Sequence, residues 1–65
     1  MEPQEEQTPV EMRKQIFQAL VETQDGGTSV RESRALIAQR FTVTEALVRE
    51  IEREGINSVW PPLSI

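Results

Sequence analysis

Residues 34–53 read RALIAQRFTVTEALVREIER. Apolar side chains recur here at helical steps, first through Leu36, Ile37 and Phe41 and then through Leu47, Val48 and Ile51. Only Thr42, Val43 and Thr44 separate the two runs, too few residues to let the helices part. Two helices joined so tightly must interlock at set positions. Counting from Arg34 as the first, the fourth and fifth positions lie where the second helix crosses closest, and they should be apolar and then small; they are Ile37 and Ala38. The eighth, tenth, fifteenth and eighteenth should be apolar, and they are Phe41, Val43, Val48 and Ile51. The pattern is that of a helix-turn-helix. The ninth position, usually glycine, is Thr42. A β-branched residue disfavours positive φ, so the turn is expected either to be wound differently or to hold strain.

Upstream, Thr8 is placed to cap a first helix, Pro9 suits its first position because the missing N–H costs nothing there, and Glu11 completes a capping box. Met12, Ile16, Ala19, Leu20 and Thr23 follow at helical steps, widened by Phe17 and Val21, until Asp25-Gly26-Gly27 stops the run. Ser29 with Glu32 repeats the starting grammar, and Val30, Leu36, Ile37 and Phe41 form the apolar set of the second helix. Thr44 caps the third, which turns Leu47, Val48 and Ile51 inward and is expected to end at Gly55, with Ile56 folding back on Ile51. The fold class is therefore all-α: a three-helix bundle with helices near 9–24, 29–40 and 44–54. The first packs across the other two through Met12, Ile16, Phe17 and Leu20. Flanking this 8–56 domain, residues 1–7 (MEPQEEQ) are too acidic and too poor in apolar groups to order and read as a disordered tail. Residues 57–65, with Pro61 and Pro62 barring a further helix, read as an extended tail whose Trp60 presses on the bundle near Phe17 or Leu20. A lone tryptophan can also anchor a partner, though covering a small core is its commoner use.

Composition removes whole classes of function. The 65 residues include no cysteine and no histidine, which excludes disulfides and the usual zinc sites, and no other metal or cofactor site is expected. Catalysis would fall to carboxylates, hydroxyls or the single Lys14, with no apolar pocket to retune them; the chain does not read as an enzyme, and it has little room for a small-molecule substrate. No apolar run approaches the ~18 residues of a membrane span, and the acidic N-terminus lacks a signal peptide's plan, so a cytoplasmic location is expected.

The segment 37–52, IAQRFTVTEALVREIE, resembles the promoter-reading C-terminal region of bacterial housekeeping-type sigma factors. That region has a similar phenylalanine–x–valine–threonine turn and a similar arginine–x–isoleucine–glutamate run, here Arg49-Glu50-Ile51-Glu52. The resemblance implies the scaffold. It departs at Glu45-Ala46, where sigma factors tend to be basic, and after the helix, where GINSVWPPLSI replaces a basic continuation.

Charge is distributed unevenly. The net charge is −4, yet residues 28–65 hold five arginines against five glutamates, so the acidity belongs to the tail and first helix. Arginine grips phosphate and guanine edges bidentately, which lysine does not. Duplex DNA is thus the expected partner of a transcription-related module, working as a dimer or as one domain of a larger regulator. The outward positions of the third helix, Thr44, Glu45, Ala46, Arg49, Glu50 and Arg53, would face the groove, and Arg31, Arg34 and Arg40 would contact phosphate. The other reading makes these side chains a solvated face with ordinary i,i+4 pairs. It gives a helix-turn-helix-shaped module that binds a protein instead of DNA. The commoner reading of Glu50, Glu52 and Glu54 is a solvated face.

Overall fold

The computed structural model describes residues 9–63. They form α1 (Val10–Asp25), α2 (Val30–Phe41) and α3 (Glu45–Ser58), and each helix packs on the other two. The fold is the expected all-α three-helix bundle, with α2 and α3 joined by the three-residue turn at 42–44. No described helix is long and apolar enough to cross a membrane.

Two of the three helix starts use the side chains that the sequence offered. Ser29 Oγ accepts from the Glu32 amide at 3.1 Å, and Thr44 Oγ1 accepts from the Leu47 amide at 3.0 Å. Each satisfies an amide that the helix itself leaves without a partner. At α1, Pro9 occupies the N-cap rather than the first helical position and makes no side-chain cap bond. The Thr8 cap and the tail at 1–7 lie outside the described residues.

All three helices end in the same way. Thr28 donates its amide to the Thr23 carbonyl and Gly27 to that of Gln24; Val43 donates to Ala38 and Thr42 to Gln39; Trp60 donates to Gly55 and Val59 to Ile56. This paired closure is the Schellman motif, and it requires a left-handed residue just past the helix. The first helix supplies Gly27 at φ 104°, but the other two supply Thr42 at φ 58° and Val59 at φ 52°. A side chain there costs about 1–2 kcal/mol. The turn at Thr42 is therefore not rewound; it keeps the usual glycine geometry and holds the strain.

The third helix differs from expectation most. It does not stop at Gly55 but runs to Ser58, with Val59 as its left-handed residue. Gly55 is buried inside the helix, and a Cβ there would overlap the Phe17 ring. The glycine thus serves close packing of α1 on α3. The chain then turns at Trp60, whose carbonyl accepts from the Leu63 amide at 2.8 Å, so the expected extended tail is helix and turn as far as residue 63, and its last two residues lie outside the described ones. Trp60 is 8% exposed and meets Phe17 edge-on, ring centroids 6.1 Å apart at 78°; Lys14 Nζ lies 5.8 Å from the Trp60 ring centre.

The core comprises Ile16, Phe17 and Leu20 of α1, Ile37 and Ala38 of α2, Val48 and Ile51 of α3, and Trp60. Met12, Val30 and Leu36, expected to face inward, are exposed. Met12 and Val30 stand in the opening turn of their helices. Leu36 is displaced by about 100° around α2 from the buried Ile37. In the place of an apolar group, α2 turns Ser33 into the interface. That hydroxyl donates to the Val30 carbonyl at 2.8 Å and accepts from Gln24 Nε2 at 3.0 Å, so its burial leaves no polar atom unmatched.

Candidate nucleic-acid interface

The outward stripe of α3 is fixed by the inward one. With Val48, Ile51 and Gly55 buried, helical periodicity places Ala46, Glu50, Arg53 and Asn57 along the opposite side, flanked by Arg49 and Ile56. These six residues, with Arg34 of α2 and Glu52, line a groove of about 540 Å³. Four of the six recognition-helix residues singled out from sequence are thus brought together: Ala46, Arg49, Glu50 and Arg53. Thr44 and Glu45 are exposed at the N-terminal end of α3, outside the groove lining. The Thr44 hydroxyl is occupied as a cap acceptor, and the Glu45 carboxylate stands where an approaching phosphate would meet the helix N-terminus. That carboxylate suits the helix dipole but repels the anion.

The three α2 arginines do not form a set. Arg31 and Arg40 are both exposed, but nine residues apart they face opposite sides of the helix. Arg40 lies over the Phe41 ring, 5.6 Å from its centre, and lines a separate depression with Gln15, Gln18 and Glu22 of α1. Arg34 reaches the α3 groove, where it is held by Glu52: Nη2 lies 2.9 Å and Nε 3.0 Å from Oε1. On the other flank of α3, Arg13 donates to both carboxylate oxygens of Glu54, at 3.0 and 3.1 Å. Glu52 and Glu54 are therefore not a solvated face. Each ties α3 to a neighbouring helix, and sequence spacing gave no sign of it because the partners lie on other helices.

The two ion pairs decide the electrostatics of the surface. They neutralise Glu52 and Glu54 on the flanks of α3 and leave Glu50 on the stripe itself, while among the described residues no hydrogen bond or ion pair engages Arg49 or Arg53. The groove carries three arginines against two glutamates, on a chain whose acidic residues outnumber basic ones by eleven to seven. It is a small cationic island with its two outermost guanidinium groups unspent. Ile56, 55% exposed, and Asn57 extend it by a turn that the expected stop at Gly55 had removed. Among the described residues, no group of acidic side chains is placed to hold a metal ion. Comparison of the chain with protein-family models, curated protein sequences and solved structures returned no match.

Proposed function

We propose that this chain is a helix-turn-helix module that binds duplex DNA through the outer face of α3, as a transcription-related component acting in the cytoplasm, alone or within a larger regulator. The observation that carries the reading is the cationic groove: among the described residues Arg49 and Arg53 have no ion-pair partner on the exposed stripe of α3, and Arg34 lies beside them. Guanidinium groups on such a stripe suit the guanine-edge acceptors of the major groove. The likeness of 37–52 to the sigma-factor region supports the same reading at the level of the scaffold. The small cation excess makes binding weak at physiological salt, because phosphate neutralisation supplies most non-specific affinity.

Titrating isotopically labelled protein with a duplex at low salt tests this. Amide shifts gathered on 46–57, together with affinity that falls as salt rises, are expected. Absence of binding at low salt would refute it. One observation favours a second reading, a protein-binding module: Ile56 stands 55% exposed within the groove, an apolar group that a protein surface would cover. On that account the shifts fall on the same stripe only with a protein partner.

A further inference from the structure

We infer that the fourth turn of α3 takes part in sequence reading, with Asn57 contacting an adenine; this rests on the DNA-binding reading above. Three observations carry it. First, α3 continues to Ser58, so Asn57 stands one turn beyond Arg53 on the same stripe and lines the same groove as Arg49 and Arg53. Second, this turn is anchored. Gly55 is buried against Phe17, and the Trp60 amide closes the helix on the Gly55 carbonyl at 2.9 Å. A side chain on an anchored turn is presented in a fixed place, which base reading requires and a fraying terminus does not provide. Third, Asn57 is exposed, and no hydrogen bond engages its side-chain amide among the described residues.

The chemistry names the base. An asparagine amide offers one acceptor and a donor pair, which match N6 and N7 of adenine in the major groove. Ile56 beside it offers an apolar contact of the kind a thymine methyl accepts. Arg53 and Asn57 are four residues apart, a rise of about 6 Å along α3, so the two side chains meet different base pairs.

The test is competition binding of the wild type and Asn57→Ala against duplexes varied one base pair at a time, selected first from a random pool with the wild type. Circular dichroism melting checks that the variant remains folded. The wild type should prefer A·T at one end of its footprint by roughly ten-fold. Asn57→Ala should lose that preference alone, leaving the other positions and the salt dependence unchanged. If the wild type binds with base preferences that Asn57→Ala leaves intact, or if the variant weakens every sequence equally, the inference is wrong while the DNA reading stands. A wild type that binds without any base preference also overturns it. No binding at low salt would remove both.

Discussion

The ring of Phe17 occupies the place that a side chain at Gly55 would need. This contact lets α1 approach α3 closely, and it falls within the third helix rather than at its end. Helix propensity alone says that Gly55→Ala should stabilise by up to about 1 kcal/mol. Packing says the reverse, because three atoms of the buried ring would have to move. Overpacking of this kind typically costs about 1–3 kcal/mol, so packing wins and the variant should be less stable. Urea unfolding followed by the fluorescence of Trp60, the one tryptophan, reads the sign. A rise in stability would mean that the two helices sit further apart.

Thr42 and Val59 give the opposite case. Both hold left-handed φ with a branched Cβ, at the two Schellman closures that frame α3. Replacing either by glycine removes a strain of about 1–2 kcal/mol and adds a backbone-entropy cost of about 0.5–1 kcal/mol. Thr42→Gly and Val59→Gly should therefore each stabilise by up to about 1.5 kcal/mol. Thermal melting of the two variants checks this, and a lower midpoint in both would show that the side chains compensate for the backbone.

The course of the chain was legible because helix starts and the interlocking of a short turn are local matters. Ser29 and Thr44 cap as their spacing said, and Ile37, Ala38, Val48 and Ile51 are buried where the helix-turn-helix count put them. What was not legible depended on partners distant in sequence. Gly55 reads as a stop until Phe17, 38 positions earlier, is found against it, and Glu52 and Glu54 read as solvent-facing until Arg34 and Arg13 are found beside them. Ser33 was passed over because a template of apolar positions ignores a hydroxyl that can satisfy itself on its own helix. Of the site, the α3 stripe through Arg53 followed from periodicity. Its last turn did not, since that depended on the misread glycine.

Glu52 holds Arg34 at the edge of the groove, and it is also one of the two acids that dilute the groove's charge. Glu52→Gln keeps an oxygen able to accept from the guanidinium while removing the negative charge. The pair is partly exposed, so the cost to stability should stay within about 1 kcal/mol. If the groove receives DNA as proposed, affinity at low salt should rise several-fold, and the dependence of log K on log salt should steepen by about 1 as one more phosphate is neutralised. Fluorescence anisotropy over a salt series measures both. Unchanged affinity and slope would place the DNA away from Arg34.

Arg49 and Arg40 separate the α3 groove from the rest of the cationic surface. Arg49 is exposed on the groove, whereas Arg40 lies over Phe41 on the side of α2 that meets α1. If the groove receives the base edges, Arg49→Ala should cost about 1–3 kcal/mol of binding and relax selectivity at one base pair. Arg40→Ala should change affinity little at any sequence and leave the salt slope as it was, because its guanidinium faces a different depression. Neither residue is in the core, so both variants should melt near the wild type. Binding of each variant to the preferred duplex and to single-position variants of it decides the matter. A loss at Arg40 that matched or exceeded the loss at Arg49 would move the DNA to the α1–α2 side. That outcome would make the stripe of α3 free for a protein, with Ile56 as its apolar contact.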